Sequence, residues 1–320
     1  MDALLQPFFI GVKTHARRAV GIRSKGGTIS FSQKTSRLIA GCGYLGLRAA
    51  QHWVGSGDSV SAITRSAERA DVLRQFGLTP LLGQLASEGL SAPLPAAQTV
   101  LWAVGFDRSA NDSRQAVWID GLTRFVSALT AAPRRFLYIS STSVYGDQVG
   151  TAIDEKSAPA PLTEGGQCCL QAESLLRQLM AERFPETQVC VLRMAGIYGP
   201  DRLLRRVEDL RAQKPLPGDG DQWLNLIHVD DAVTAVAHVA SADEVPDLLN
   251  VVNAGTLTRA AYYEQLARLA GAPAPVFGGA TQGRPRGGHK RVVSQYTGSV
   301  AYRFDDVTAG LLDAWQRSDR

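Results

Sequence analysis

The chain has 320 residues, 45% hydrophobic and 20% charged, with a formal net charge of +4. That length and balance describe a globular protein able to bury a full core, as one large domain or two intimate ones. No run of about 18 apolar residues occurs, so no membrane span is expected. The excess positive charge is local: residues 1–36 hold Lys13, Arg17, Arg18, Arg23, Lys25 and Lys34 against Asp2 alone. The rest of the chain is close to neutral and offers no basic face for a nucleic acid.

Residues 1–35 show no clear periodicity. They read as a basic, disordered extension or the product of an upstream start, rather than a targeting segment, because Phe8-Phe9-Ile10 is too short for a signal core. Order begins at Leu38-Ile39-Ala40, an apolar strand that runs into Gly41-Cys42-Gly43-Tyr44-Leu45-Gly46. A helix-compatible segment, Leu47 to Val54, follows, then a Gly55-Ser56-Gly57-Asp58 turn and a second strand, Val60 to Ile63, ending at Thr64-Arg65-Ser66. A GxGxxG turn between a strand and a helix is a dinucleotide-binding fingerprint. The first glycine permits the tight turn, the second lets the backbone approach a pyrophosphate, and the third lets helix and strand pack closely. The helix N-terminus then turns its free N–H groups and positive dipole end toward the phosphates.

The end of the second strand bears on which dinucleotide binds. An NAD site usually carries Asp or Glu there, to bond the ribose 2′-hydroxyl. This chain has no carboxylate at that place. Arg65 can pair with a 2′-phosphate and Ser66 can donate to it, so NADP is expected over NAD. The alternative for Arg65 is stacking on the adenine or facing solvent.

The βα alternation continues. Ala67 to Phe76 reads as a helix, Thr79 to Leu82 as a strand, and Thr99 to Val104 as a nearly continuous apolar strand of the kind covered on both faces. Arg114 to Thr130 has helical spacing. Arg135 to Ile139 is a strand that exits into Ser140-Ser141-Thr142-Ser143. Gln167 to Phe184 is a helix ended by Pro185, and Val189 to Leu192 is a further strand. This rhythm implies an α/β fold with a doubly wound parallel sheet, the Rossmann arrangement, over residues 36–200. Ligands bind beyond the carboxyl ends of such strands. The expected cofactor contacts are therefore Gly41, Gly43, Tyr44, Leu45, Gly46, Arg65, Ser66, Ala103, Val104, Gly105 and Ser140.

After Pro200 the pattern shortens. Leu203 to Leu210 reads as a helix, Leu224 to Val229 as a strand, Asp230 to Val239 as a helix and Leu248 to Val252 as a strand. Thr258 to Leu269 reads as a helix capped by Thr256 or Thr258. Residues 278–291 are rich in Gly and Arg and read as a loop. Residues 201–320 are expected to form mainly a small α/β substrate subdomain, with returns of the chain to the Rossmann domain. The cysteines, Cys42, Cys168, Cys169 and Cys190, make no CxxC pair and no zinc spacing with histidine. No metal site is readable, and a reducing, cytoplasmic compartment is expected.

Four segments together resemble the extended short-chain dehydrogenase/reductase superfamily, in its NAD-dependent epimerase/dehydratase group, over roughly residues 36–315. They are GCGYLG (Gly41–Gly46), SSTSVYG (Ser140–Gly146), LRMAGIYGP (Leu192–Pro200) and NLIHVDDAV (Asn225–Val233). The resemblance implies that Ser141 hydrogen-bonds a substrate oxygen beside the nicotinamide. The family's catalytic YxxxK pair is followed by a Glu on the same helix. Matched through Glu173, the Tyr place falls at Gly165 and the Lys place at Cys169, so the chain resembles an atypical member without the pair. In the family the Tyr is the general acid/base, and the Lys lowers its pKa and binds the nicotinamide ribose. Tyr145 is the nearest candidate substitute for the acid/base. Arg193, Trp223, His228 and Arg284 are candidate substrate contacts. Arg193 could instead order its loop, Trp223 fill core, His228 brace the two domains, and Arg284 sit on a solvated loop. The implied function is an NAD(P)-binding oxidoreductase or epimerase-like protein acting on a small molecule; the competing reading is a non-catalytic NADP sensor. Family members often dimerise through two Rossmann helices, here Arg114–Thr130 and Gln167–Phe184.

Overall fold

The computed structural model describes residues 34–318, apart from 88, 91, 108, 148–150, 203–205 and 280–288. The basic extension up to residue 33 and the candidate Arg284 lie outside the described residues. In chain order come β1 (Ser36–Ala40), α1 (Tyr44–Gly55), β2 (Ser59–Thr64), α2 (Ala67–Gln75), β3 (Thr79–Gln84), β4 (Gly89–Leu90), β5 (Thr99–Trp102), α3 (Gly121–Ala128), β6 (Arg135–Ser141), β7 (Ala152–Ile153), α4 (Glu164–Arg183) and β8 (Gln188–Met194). There follow β9 (Gly196–Tyr198), α5 (Val207–Arg211), β10 (Leu216–Pro217), β11 (Trp223–Leu224), β12 (Leu226–His228), α6 (Val229–Ser241), β13 (Leu248–Val251), β14 (Leu257–Thr258), α7 (Arg259–Ala270), β15 (Phe277–Gly279), β16 (Arg291–Val292) and α8 (Val307–Arg317).

The main sheet has the order β13-β8-β6-β5-β1-β2-β3-β4. Its strands pair in parallel except for β4, which runs antiparallel to β3 at the edge. Strand order reverses between β1 and β5, the switch point at which a crevice opens in such sheets. The two faces are covered separately. Ile39, Leu101, Leu137 and Leu192 point to the α1 and α6 side, where Ala49, Trp53, Ala232 and Val236 meet them. Leu38, Val100, Phe136 and Val191 point to the α3 and α4 side, against Phe125, Ala172 and Leu176. Each fully buried large apolar side chain contributes roughly 1.5–3 kcal/mol. A third cluster, including Tyr198, Leu210, Tyr262, Leu266, Leu311 and Trp315, forms the core of the smaller C-terminal part.

Where the observed elements depart from the sequence pattern, local chemistry accounts for it. The expected helix Arg114–Thr130 is interrupted: Ala116–Asp120 is a π-helical turn, and the regular helix starts at Gly121. The extra residue of that turn carries Trp118, whose indole N–H donates to the Val104 carbonyl at 2.9 Å, at the mouth of the crevice. π-turns often mark functional sites in this way. The expected strand Leu224–Val229 is two strands, broken at Asn225. Its amide donates to the Lys290 carbonyl and accepts from the Val292 N–H. Of the helix expected over Leu203–Leu210, residues 203–205 lie outside the described residues, and α5 runs from Val207 to Arg211. Of the stretch 278–291 expected as a loop, residues 280–288 lie outside the described residues, and its two ends fall in the short strands β15 and β16. The final helix, α8, was not anticipated from the sequence pattern; it starts at an Asp306 cap that accepts from the Ala309 N–H.

Two returns tie the C-terminal part to the Rossmann layers. Strand β13 extends the main sheet beside β8, and α6 packs on α1. Among the described residues, no helix is long and apolar enough to cross a membrane.

Candidate active site

A crevice of about 1180 Å³ opens at the carboxyl ends of β1, β2, β5, β6 and β8. Its floor is the Gly41–Leu45 turn. Gly41 adopts φ +91°, and a Cβ there would lie 2.5 Å from the Ala103 and Val104 backbone, so glycine is required for β1 and β5 to come together at this level. At Gly43 a Cβ would meet nothing within 4 Å and would project into open space beside the start of α1. That open cradle, facing an N-terminus with no acidic residue in its first turn, suits a pyrophosphate. The structure therefore fits a dinucleotide at this turn.

At the β2 end, Arg65 and Ser66 both line the crevice. Arg65 is exposed and makes a loose 3.5 Å ion pair with Asp107, itself exposed, from the loop after β5. The Ser66 hydroxyl accepts from the Arg69 N–H and caps α2. Arg69, which the sequence reading passed over, also lines the crevice and donates to the Cys42 carbonyl at 3.2 Å. Its signal was its place in the first turn of a helix capped by a crevice residue. Arg202, likewise unanticipated, lines the opposite wall and stacks over the Tyr44 ring at 5.0 Å. Tyr44 is held by its hydroxyl, which donates to the Pro200 carbonyl at 2.8 Å.

The inner end is built by β6 and α4. The Thr163 hydroxyl caps α4 by accepting from the Gly166 N–H. A Cβ at Gly166 would collide with the Ser143 carbonyl, so the first turn of α4 rests directly on the turn after β6. This packing brings Cys169 beside Ser141 at the crevice wall, together with Tyr138, Met194 and Ile197. The Ser141 oxygen accepts from the Ser143 N–H at 3.1 Å, which leaves its own proton free to point outward. Ser140 lines the wall too, but its hydroxyl donates to Glu173 at 2.5 Å. Glu173 in turn holds Arg193 through two bonds, of 3.0 and 2.7 Å.

Several expected site residues are elsewhere. Tyr145 is 1% exposed and does not line the crevice; its hydroxyl donates to the Asn250 side chain at 2.9 Å, and burial raises its pKa. It is corrected from acid/base candidate to core residue. Arg193 is buried between Glu173 and the Tyr145 ring, 4.8 Å from its centroid, so it orders the strand end rather than touching a ligand. Trp223 sits on β11 under the Arg291 guanidinium, away from the crevice. The Lys290 ammonium is spent on the Tyr145 carbonyl.

His228 is fully buried rather than a substrate contact. Its Nδ1 accepts from the Asp230 N–H, capping α6, while Nε2 lies 3.5 Å from Asp313 on α8. The rings of Tyr198 and Phe304 enclose it. His228, Asp230 and Asp313 bring ligand-type atoms within 4.8 Å of one another. Arg303 and Arg317 already pair with both carboxylates, however, which leaves a charge-balanced clasp on α8 rather than a cation site. Burial lowers the His228 pKa from 6.5 to about 4. The unfolded chain therefore binds more protons in that window. Stability held by neutral His228 is present above about 6.5 and drains away as pH falls toward 4. Denaturant unfolding across that range is expected to show the decline, and His228→Asn is expected to flatten it. An identical pH slope in the variant would contradict the assignment.

Cysteine chemistry is muted. All four thiols are free and buried, and burial pushes Cys169 up to about 12. Iodoacetamide at neutral pH is expected to leave Cys169 unmodified in the folded protein by mass spectrometry. Rapid labelling would show a thiolate this environment does not support.

The profile of the NAD dependent epimerase/dehydratase family matches residues 38–255. The chain belongs to that family. Among curated proteins, it is 29% identical over 246 residues to protein YeeZ of Escherichia coli K12, covering 75% of this chain and 85% of YeeZ. It is 28% identical over 237 residues to a 3-diazoavenalumate denitrifying reductase from Streptomyces, covering 68% and 76%. The fold matches UDP-glucuronic acid 4-epimerase of Bacillus cereus, solved with UDP-glucuronic acid and NAD, at a TM-score of 0.72 and 19% identity, over 88% of this chain and 98% of that one. Gly165 and Cys169, the places expected from the sequence to stand for the family's Tyr and Lys, are both on α4. Gly165 faces the Arg114 guanidinium, 3.5 Å from where a Cβ would stand, and Arg114 lies over Phe106.

Proposed function

We propose that the protein is an NADP-dependent oxidoreductase of the extended short-chain type with a non-standard set of proton-handling side chains. The observation that carries this reading is the open crevice. It joins a phosphate cradle and a carboxylate-free β2 end, with Arg65 and Arg69, to the uncommitted Ser141 proton at the inner wall. The dinucleotide, when bound, supplies a nicotinamide able to give or take a hydride. The Gly41–Gly46 turn and the α1 N-terminus hold its pyrophosphate, and Arg65 and Arg69 meet the 2′-phosphate. Ser141 holds the substrate oxygen, so the substrate class is a small carbonyl compound or secondary alcohol. Met194, Ile197 and the protonated Cys169 thiol give the inner end low-polarity walls that limit water.

Gly165 and Cys169 favour a second reading, a non-catalytic NADP-binding sensor, because α4 presents neither a phenol nor an ammonium to the crevice. The two readings separate when NADPH absorbance is followed with excess protein and a panel of aldehydes and ketones. The enzyme reading expects NADPH loss with at least one, slowed at least tenfold in Ser141→Ala with NADPH affinity unchanged. Tight NADPH binding without loss across the panel would support the sensor. We further propose homodimerisation through α3 and α4, and the cytoplasm as compartment, in keeping with the free thiols.

A further inference from the structure

Strand β6 alternates its side chains across the sheet, and Phe136, Tyr138 and Ser140 share the α4 side. Tyr138 packs in the cluster that holds Cys168, Ala172 and Leu176. It is also 3% exposed and lines the crevice. Its partner across the sheet is Trp102, the last residue of β5. Tyr138 is therefore level with the point where the chain leaves β5 for Ala103, Val104 and Gly105, three residues deeper than Ser141.

Apart from Ser141, whose proton faces the substrate place, the polar side chains named at this end are committed. Ser140 donates to Glu173, the Trp118 indole to the Val104 carbonyl, and Tyr44 to the Pro200 carbonyl. Unlike these three, the Tyr138 hydroxyl makes no hydrogen bond to the described residues. It is not among the side-chain atoms sealed from solvent without a partner, which are on Trp102, His228, Asp231 and Arg259. The residue itself lines the crevice. A tyrosine this buried ordinarily has a partner for its O–H.

We propose that the Tyr138 hydroxyl completes its hydrogen bonding on a ligand, donating to a hydroxyl of the ribose on the nicotinamide side of the bound dinucleotide. The inference rests on the dinucleotide reading of the crevice. Position selects this ribose: the phosphate cradle is at the α1 N-terminus, and Ser141, at the end of β6, stands where the substrate oxygen belongs. Chemistry agrees. Burial, with Cys169, Glu173 and Cys168 nearby, holds the phenol well above its ordinary pKa, so it is a neutral donor at any working pH. A neutral donor suits a sugar hydroxyl. It also fills a functional gap beside Cys169, whose protonated, buried thiol is a poor donor. Tyr138 is a cofactor-holding residue in this account, and no proton leaves it during turnover.

The test is calorimetric titration of wild type and Tyr138→Phe with two probes: NADPH, and 2′,5′-ADP, which keeps the adenosine and its 2′-phosphate but lacks the nicotinamide riboside. The substitution removes one oxygen with no protein partner, so the thermal midpoint should hold. The variant is expected to bind NADPH about 3- to 10-fold more weakly, the size of one neutral hydrogen bond, and 2′,5′-ADP with unchanged affinity. Equal NADPH binding in the two proteins would overturn the inference while leaving the dinucleotide reading intact. An equal loss for both probes would overturn it too, by assigning Tyr138 a general structural role. A wild-type protein that binds neither probe would remove the dinucleotide reading, and this inference with it.

Discussion

Replacing Glu173 with Gln is expected to cost about 3–5 kcal/mol of unfolding free energy, because it strands the Arg193 guanidinium in the core without a counter-charge. The two side chains are 4% and 5% exposed and 2.7 Å apart, beneath the wall of the crevice. The same carboxylate receives the Ser140 hydroxyl, and Arg193 stacks on Tyr145, so the loss should spread to the end of β6. The pair itself need not be a large net gain, since both ions pay desolvation. A double variant, Glu173→Leu with Arg193→Met, is therefore expected to be more stable than either single variant. Urea unfolding of the three proteins reads both expectations. A single-variant loss below about 1 kcal/mol, the size of an exposed pair, would mean that the site is wetter than its geometry indicates.

The second large effect concerns cofactor choice. Arg65→Asp is expected to weaken NADPH binding by at least about 10-fold, by replacing a charge-assisted contact with like-charge repulsion. NADH, without the 2′-phosphate, should bind the variant no worse and could recruit the new carboxylate to its ribose. Asp107 gives this prediction a counterpart. Its carboxylate sits 3.5 Å from the Arg65 guanidinium and competes for it. Asp107→Asn should shift the preference further toward NADPH. Parallel losses for both cofactors in Arg65→Asp would instead point to adenine stacking by Arg65.

The fold was legible where patterns were local. The strand-turn-helix at Leu38 to Val54 and the apolar runs of β5, β6 and β8 follow from periodicity and turn chemistry, and they place the crevice by topology alone. The phosphate cradle was legible for the same reason: Gly41 and Gly46 answer to contacts within one βα unit and its neighbouring strand. The inner end was not. Tyr145 and Arg193 lie close to crevice residues in sequence, but strand alternation and the Glu173 carboxylate turn them inward. His228 belongs to a clasp whose other half, Asp313, is on a helix far along the chain. Arg69 and Arg202 reach the crevice only because α2 and the turn after β9 fold over it, a tertiary fact that no spacing encodes. Tyr138 reads as an ordinary strand residue in sequence, and only the missing partner for its hydroxyl singles it out.

The most direct test of the central claim is calorimetric titration of the purified protein with NADPH and, in parallel, with NADH. The account predicts one site per chain, with NADPH bound at least about 10-fold more tightly, the worth of one charge-assisted phosphate contact. Equal or tighter binding of NADH would contradict the roles given to Arg65 and Arg69, and binding of neither would contradict the dinucleotide site itself.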